Sequence, residues 1–262
     1  MDLKLTDKVA LVTAASHGLG KAAALALSRE GARIAIASRS EDIFDAAMEI
    51  QDETAIPVHA MQADLTKPEE IQSLVERTHE TYGKLDILII NAGGPKPGGF
   101  LDLNPSDWEQ AVQLTLMSAV RLCYSAVPLM IEQGSGSIVT SQSFSVRQPV
   151  EKLILSNAVR LSVLGLMKTL ADELGPLGIR VNSINPGWTK TDRVTQLLQN
   201  RVDAKGTSPR EEEDAITAGI PLRRMAEVDE YGRAVAWLAS PAASYIHGHA
   251  LMFDGGLTRS TI

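Results

Sequence analysis

Two side chains that donate strong hydrogen bonds stand one helical turn apart near the start of a long apolar segment. Ser156 and Arg160 belong to LSNAVRLSVLGLMKTLADELG (155–175), in which leucines recur three and four residues apart. This spacing predicts an amphipathic helix with both side chains on one face. A hydroxyl and a guanidinium placed in this way can bind oxygen atoms of a ligand and stabilise a developing negative charge.

A second candidate site is the segment TAASHGLG (13–20). It follows the apolar run VALVTAA (9–15) and precedes the helical pattern KAAALALSREG (21–31). Small residues let the backbone approach a phosphate, and a helix N-terminus offers unpaired N–H groups and a partial positive charge. A glycine pair alone is a weak signal, but its position between the first strand and the first helix is the context such a site requires. The segment therefore predicts a binding site for the pyrophosphate of a dinucleotide.

Apolar runs and helical patterns alternate along the chain, and these elements must position both sites. Strands are predicted at 9–15, 33–38, 57–62, 85–94, 136–143, 179–187 and 249–256. Helices are predicted at 21–31, 41–53, 68–83, 105–133 (in two pieces), 155–175 and 227–240. The strand runs lack polar alternation, which indicates a sheet buried on both faces, and strand–helix alternation indicates parallel βαβ units. We therefore predict an α/β fold: one doubly wound, Rossmann-type domain over 1–262, with about seven parallel strands and helices on both faces.

The least regular segment is 188–225, which is polar, charged and long for a connection. Connections of this length are usually functional or flexible, so we interpret it as either a substrate lid or a solvated surface excursion. Substrate contacts are expected from 94–101, 144–154 and 188–225, the loops at the carboxyl ends of the strands. Phe144 and Trp188 would line an apolar pocket there, which favours a hydrophobic or acyl substrate.

Composition excludes several classes of partner. The chain has 262 residues and a formal net charge of −7, which argues against non-specific nucleic-acid binding. Cys123 is the single cysteine, so no intramolecular disulfide can form, and a reducing, cytoplasmic location fits. The sequence has no run of about 18 apolar residues that would predict a membrane span. The histidines lack a metal-ligand pattern, so no metal is expected.

Taken in order, these motifs resemble those of short-chain dehydrogenases/reductases of the 3-oxoacyl-[acyl-carrier-protein] reductase type, over nearly the whole chain. Residues 13–20 match the family's Thr-Gly-x-x-x-Gly-x-Gly, except that Ala14 replaces the first glycine. The Asn-Asn-Ala-Gly turn is matched with Ile90 in place of its first asparagine, and Asp254-Gly255-Gly256 matches the C-terminal signature. The resemblance implies a nicotinamide dinucleotide held by Thr13, Ser16, His17, Gly18, Leu19, Gly20, Arg39, Asp64, Leu65, Asn91, Ala92, Gly93, Arg160, Pro186, Gly187, Thr189 and Thr191.

The end of the second predicted strand, AIASRS, favours NADP(H) over NAD(H). NAD-selective sites place an acidic residue there to bind the ribose 2′-hydroxyl, whereas an arginine suits the 2′-phosphate. This chain has Arg39 and no Asp or Glu within that stretch. The alternative interpretation is a solvated arginine without a ligand.

The resemblance also implies a catalytic set, of which this chain keeps one member. In the family a tyrosine exchanges a proton with the substrate oxygen, a lysine lowers that tyrosine's pKa, a serine orients the substrate and an asparagine holds a water. The serine is Ser143, but the tyrosine position is Ser156, the lysine position is Arg160 and the asparagine position is Thr115. Arginine stays charged and cannot relay a proton, so the proton-transfer machinery of the family is missing.

Three functions remain open at this point. In the first, the chain is an oxidoreductase acting on a small carbonyl or acyl substrate, in which Arg160 polarises the carbonyl, Ser143 and Ser156 bind it, and water or the substrate supplies the proton. In the second, it binds NADP(H) without turnover and acts as a sensor or partner subunit. In the third, it binds no cofactor. The resemblance further implies a homotetramer packed through the helices matching 105–133 and 152–175, with a dimer as the alternative.

Overall fold

The computed structural model describes residues 1–260 and contains a seven-stranded parallel sheet. The strands are β1 (Val9–Thr13), β2 (Arg33–Ser38), β3 (Val58–Gln62), β4 (Ile87–Ile90), β5 (Gly136–Ser141), β6 (Ile179–Pro186) and β7 (Ala250–Phe253). Their order across the sheet is β3-β2-β1-β4-β5-β6-β7. The strand order reverses between β1 and β4, which opens a crevice at the carboxyl ends of the strands. The predicted doubly wound α/β fold is confirmed.

Nine α-helices are present within the described residues. They are α1 (Gly18–Arg29), α2 (Asp42–Thr54), α3 (Pro68–Tyr82), α4 (Pro105–Ala111), α5 (Ser118–Gln133), α6 (Ile154–Leu174), α7 (Asp192–Lys205), α8 (Pro209–Gly219) and α9 (Val228–Ala239). Helices α1, α2 and α9 pack on one face of the sheet, and α3, α5 and α6 pack on the other. The sheet is therefore buried on both faces, as its uninterrupted apolar strands predicted.

The helical region predicted at 105–133 is continuous but changes its winding. Helix α4 passes through a π-helical turn, Val112–Met117, into α5. Such turns are rare in helices and frequent at functional sites.

By length and composition alone, Pro105–Gln133 and Ile154–Leu177 could each cross a membrane. In this fold both pack one side against the sheet and against each other, as core helices do.

The segment 188–225 is more regular than the sequence analysis suggested, because it folds into α7 and α8. Thr191 caps α7 by accepting a hydrogen bond from the Val194 N–H, and Gly206 ends the helix in the left-handed conformation. Ser208 and Glu211 form a reciprocal capping box at the start of α8. These capping residues lie within a polar, charged sequence in which apolar residues do not recur clearly at helical spacing.

Candidate functional site

A pocket of about 300 Å³ lies at the carboxyl ends of β1, β4, β5 and β6. Its walls are the glycine-rich turn, the loop after β4, the end of β5, the start of α6 and the beginning of α7. The predicted site residues that line it are His17, Gly18, Leu19, Asn91, Ala92, Gly93, Ser143, Ser156, Arg160, Pro186, Gly187, Thr189 and Thr191. The fold thus brings together most of the residues that the sequence singled out.

The glycine-rich turn is braced against the end of β4. Thr13 Oγ1 donates to the Asn91 carbonyl at 2.7 Å, and Asn91 Nδ2 donates to the Ala14 carbonyl at 3.1 Å. A Cβ on Gly20 would lie 2.2 Å from the Ala14 carbonyl oxygen, so Gly20 is needed for helix–strand packing. Thr13 and Gly20 therefore build the turn without lining the pocket. The first turn of α1 presents its unpaired N–H groups at the Gly18 end.

Ala14 adopts a left-handed backbone conformation, with φ of +48°. The family has glycine at this position, which reaches that conformation without a steric penalty. The methyl group of Ala14 therefore strains the backbone of the turn, because it disfavours this left-handed conformation.

Four further predicted residues lie beside the pocket: Ser16 in the turn after β1, Arg39 after β2, and Asp64 and Leu65 after β3. Ser38 Oγ donates to Ser16 Oγ at 3.0 Å, and the exposed Arg39 follows Ser38 directly. Asp64 accepts hydrogen bonds from the backbone N–H and side chain of Thr66. Burial alone would raise the pKa of Asp64, but these bonds and the nearby Arg39 charge lower it overall. Leu65 is buried next to Asp64.

Two serines and one arginine line the same pocket: Ser143, Ser156 and Arg160, here called the Ser–Arg cluster. Arg160 Nε donates to Ser156 Oγ at 3.1 Å, and Nη1 donates to the Ser141 carbonyl at 3.3 Å. Ser143 Oγ accepts from the Ser145 N–H at 3.1 Å, which fixes its rotamer at the end of β5. Arg160 is only 8% exposed, and so is Ser156. The two residues of α6 that share a face therefore meet as the sequence spacing predicted.

Arg160 carries a buried charge without an anionic partner among residues 1–260. Burial is the main reason that its pKa is lowered to about 10; Tyr231 opposes this shift, and repulsion from Arg193, the smallest of the three effects, adds to it. The Tyr231 hydroxyl donates to Ser141 Oγ at 2.7 Å, and burial raises the pKa of this tyrosine. A pKa of about 10 still leaves Arg160 charged at neutral pH.

Thr115 is the one predicted catalytic residue that the structure keeps out of the pocket. It lies in the π-helical turn, is buried, and packs in the layer that contacts α6. Its Oγ1 has no hydrogen-bond partner within the described part of the chain. An asparagine side chain is longer and can reach further, whereas the threonine hydroxyl stops short.

Sequence reasoning missed two polar residues of the pocket wall, Gln142 and Arg193. Gln142 Oε1 and the predicted Thr189 Oγ1 are buried and have no partner in the part of the chain that the structure describes. Arg193 lies at the pocket mouth, where its Nη2 donates to the Pro95 carbonyl at 2.9 Å. Arg193 follows the motif threonine Thr191 by two residues, which is the only sequence signal that could have pointed to it.

The wall also has an aromatic part, as predicted. The rings of Phe144 and Trp188 lie with centroids 6.1 Å apart, and the guanidinium of Arg201 covers Trp188 at 5.1 Å. Among the described lining residues there is no tyrosine, lysine or cysteine, and Asp192 is the only carboxylate. No cluster of three potential metal ligands occurs within residues 1–260.

A larger groove of about 640 Å³ opens at the opposite, amino end of the sheet, far from these residues. One of its lining residues is Arg180, which donates to five backbone carbonyls and to Ser137 Oγ. The carbonyls of Leu238, Ala239 and Ser240 are at the end of α9, where a cation is favoured. Arg180 is therefore a structural residue, and the smaller pocket is the better candidate site despite its volume.

Comparison with known proteins finds relatives over nearly the whole chain. Residues 13–258 match a family model described as "Enoyl-(Acyl carrier protein) reductase". The oxidoreductase UcpA of Salmonella typhimurium is 35% identical over 97% of this chain and 96% of its own length. Dehydrogenase/reductase SDR family member 4 of Homo sapiens is 31% identical over 96% of this chain and 88% of its own.

Two solved structures share the fold closely. L-sorbose reductase from Gluconobacter frateurii, in complex with NADPH and L-sorbose, superposes with a TM-score of 0.94 at 29% identity. That alignment covers 99% of this chain and 100% of the reductase. A variant of the actinorhodin polyketide ketoreductase, solved with NADPH, has a TM-score of 0.92 at 32% identity, covering 97% of this chain and 98% of its own.

Proposed function

The chain belongs to the short-chain dehydrogenase/reductase family, and we propose that it is an NADP(H)-dependent oxidoreductase that acts on a small carbonyl substrate without the family's tyrosine and lysine. The observation that carries the proposal is the Ser–Arg cluster, in which a buried guanidinium without an anion lines the pocket. Arg160 would polarise the carbonyl oxygen, and Ser143 and Ser156 would bind it.

The residues of the pocket fit a nicotinamide dinucleotide. The first turn of α1 offers N–H groups to a pyrophosphate, and Gly93 leaves open space, since a Cβ there would meet nothing within 4 Å. The unpaired buried oxygens of Gln142 and Thr189 suit a carboxamide, which both donates and accepts hydrogen bonds. The holding residues would be Gly18, Leu19, Asn91, Ala92, Gly93, Pro186, Gly187, Thr189 and Thr191, with Ser16, His17, Asp64 and Leu65 beyond them. When bound, the reduced dinucleotide supplies a hydride to the carbonyl carbon.

The chain's own residues would contribute fixed charge in place of proton transfer. As the carbonyl carbon is reduced, negative charge grows on the oxygen, and preorganised donors such as Arg160 and Ser143 stabilise it. With its pKa near 10, Arg160 remains protonated and takes no part in acid–base exchange at neutral pH. The proton that completes the alcohol therefore comes from water, and the overall reaction consumes one carbonyl, one hydride and one proton.

The preference for NADP(H) over NAD(H) is supported by Arg39 together with the hydroxyls at the end of β2. Arg39 is exposed and free to turn towards a 2′-phosphate, and Ser38 and Ser16 face one another beside it. The L-sorbose reductase and the polyketide ketoreductase were both solved with NADPH. Exchange of Arg39 for aspartate is expected to lower the affinity ratio of NADPH to NADH about tenfold or more, because a like charge then faces the phosphate.

A second candidate function is cofactor binding without turnover, in a sensor or partner subunit. It is favoured by the absence of any tyrosine or lysine from the described lining of the pocket. In this case the Ser–Arg cluster would hold the ribose of the dinucleotide and no substrate would be reduced.

One comparison separates the two functions. Wild type, Arg160→Ala and the double change Ser156→Tyr/Arg160→Lys are followed by NADPH and NADH oxidation on a panel of ketones and 3-oxoacyl thioesters. Substrate-dependent oxidation by wild type that Arg160→Ala abolishes supports the oxidoreductase. Activity of the double variant alone supports the binding protein, because the cofactor and substrate sites would then be intact. If neither is active, a calorimetric NADPH titration decides whether the chain binds cofactor at all.

We extend the proposal to the lid, the assembly and the location. Helices α7 and α8 would close over the substrate, since Thr191 at the start of α7 already contacts the glycine turn near Gly18. A homotetramer packed through α4–α5 and α6 is supported by the exposed apolar residues Tyr124, Ile131 and Leu161 on those helices. Light scattering at several protein concentrations distinguishes tetramer from dimer. The single cysteine supports a cytoplasmic location.

A further inference from the structure

The lining of the pocket is positively charged, whereas the protein as a whole is negatively charged. The protein as a whole has a net charge of −7, yet the charged residues that line the pocket are Arg160, Arg193 and Asp192. Asp192 is solvent-exposed at the first position of α7, and no carboxylate among residues 1–260 lies within ion-pair distance of either guanidinium.

The two arginines also have fewer partners than donors. Arg160 makes hydrogen bonds through Nε and Nη1, and Arg193 through Nη2, whereas a guanidinium carries five N–H groups. Arg160 is more than nine-tenths buried, so its remaining donors have little access to bulk water. Arg193 is solvent-exposed, so water reaches its remaining donors. The two guanidinium groups line one pocket and repel each other, and an anion bound between them would relieve that repulsion.

The position of Arg193 is built into the loop after β4. A Cβ on Gly94 would lie 3.2 Å from both Nε and Nη2 of Arg193, so the guanidinium rests directly on the glycine backbone. Its hydrogen bond to the Pro95 carbonyl holds it there at 2.9 Å. A side chain at position 94 would make the guanidinium give way by a few tenths of an ångström.

We infer that the carbonyl substrate is a small oxo acid, whose carbonyl oxygen faces Arg160 and whose carboxylate pairs with Arg193. The inference rests on the proposed function and adds the substrate class to it. A guanidinium binds a carboxylate through two parallel N–H···O bonds, which a neutral ester or thioester cannot reproduce. The two arginines could instead bind a phosphate of the dinucleotide, and the titrations below distinguish a substrate carboxylate from a cofactor phosphate.

Binding without turnover gives the decisive measurement. Protein saturated with NADP⁺, which cannot reduce a ketone, is titrated calorimetrically with 4-oxopentanoate and with its methyl ester. The carboxylate is expected to bind at least about tenfold more tightly than the ester, and Arg193→Gln is expected to remove that difference. Arg193→Lys should keep part of it, because the charge remains while the paired geometry is lost.

Two further variants separate a binding role from a structural one. Gly94→Ala keeps the arginine but shifts its guanidinium by a few tenths of an ångström, and it should weaken carboxylate binding while leaving ester binding unchanged. Arg210→Gln removes the same charge from the neighbouring helix α8, at a side chain that is 92% exposed, and should change neither. Thermal unfolding of each variant shows that it is folded under the conditions of the titration.

The opposing results are equally specific. Equal affinity for the carboxylate and the ester, no detectable carboxylate binding, or an Arg193→Gln variant that weakens both probes alike would each overturn the inference. Carboxylate binding to the free protein that NADP⁺ abolishes would assign the arginines to the cofactor phosphates and also overturn it. If NADP⁺ itself does not bind, the proposed function fails, and the comparison of carboxylate and ester on the free protein still tests the anion site.

Discussion

Exchange of Arg160 for methionine is expected to stabilise the protein while removing its proposed activity. The reason is that Arg160 is charged, 8% exposed and without an anion among residues 1–260. Methionine is shorter, flexible and apolar, so it fills the inner part of the same space without the desolvation penalty. Arg180→Met is the matched control, because that arginine is also without a carboxylate but donates to five carbonyls and one hydroxyl.

The magnitude follows from the pKa of Arg160. Lowering it from 12.5 to about 10 makes the charged form less stable in the folded state, by about 3 kcal/mol at roughly 1.4 kcal/mol per pKa unit. The substitution also leaves Ser156 Oγ and the Ser141 carbonyl without a donor, at about 0.5–1 kcal/mol each. The net expectation is a gain of about 1–2 kcal/mol in the free energy of unfolding, or about 3–6 °C in Tm for a chain of this size.

The lowered pKa of Arg160 also determines how the stability difference between Arg160→Met and wild type changes with pH. The folded pKa lies below the unfolded one, so the penalty of the charged arginine is fully present below pH 10 and disappears as the pH rises from about 10 to 12.5. The stability difference between Arg160→Met and wild type should therefore narrow at alkaline pH.

Thermal and urea unfolding at one protein concentration, monitored by circular dichroism, measure both variants. Arg180→Met is expected to lose at least about 2 kcal/mol, because several buried carbonyls of the α9 end would lose their donor. If Arg160→Met loses stability to the same extent as Arg180→Met, then Arg160 is a structural residue and the reasoning about an unpaired charge is wrong.

Three other substitutions test separate parts of the structure. Ala14→Gly should raise the free energy of unfolding by about 0.5–1 kcal/mol in urea titrations, because glycine adopts the φ of +48° without strain. Gly93→Ala should leave unfolding unchanged, since its Cβ meets nothing within 4 Å, but should weaken NADP⁺ binding measured calorimetrically if that space holds the dinucleotide. Asp86→Asn should reduce the loss of stability in acid. Burial raises the pKa of Asp86, but hydrogen bonds from Lys8, Val9 and Lys84 lower it overall. The stabilisation by the Asp86 carboxylate is therefore present above about pH 4 and is lost as the pH falls. A wild-type acid profile that matches that of Asp86→Asn would contradict the last expectation.

The sheet and its flanking helices could be predicted from the sequence because each element repeats one simple pattern. Strands such as β1 and β4 are buried along their whole length, so their apolar runs stand out from the helices between them. Helices α7 and α8 could not be separated from a loop in this way. They pack few apolar residues, and the signals that define them are the capping residues Thr191 and Ser208 within a charged sequence.

At the candidate site, positions along one element were easier to predict than contacts between elements. Ser156 and Arg160 lie one turn apart on α6, so helical geometry alone brings them together. Arg193 and Pro95 are distant in the sequence and meet only because α7 crosses the loop after β4. Tyr231 reaches Ser141 from α9, the helix layer on the other face of the sheet, and no local pattern could have indicated that contact.

The choice of arginine over lysine at position 160 follows from the rest of the pocket. A lysine with the same burial and no anion would have its pKa lowered towards neutrality, and it would lose the charge that stabilises a substrate oxygen. In the family a tyrosine accompanies the lysine and makes proton exchange useful, but here that position is Ser156, whose hydroxyl is a poor acid. Once the acid is gone, a permanent cation beside the hydroxyl donors still contributes to stabilising an oxyanion. Ser156 and Arg160 therefore form a coherent pair: the serine accepts the Nε–H of the arginine and holds it in place, and the arginine supplies charge that does not titrate at neutral pH.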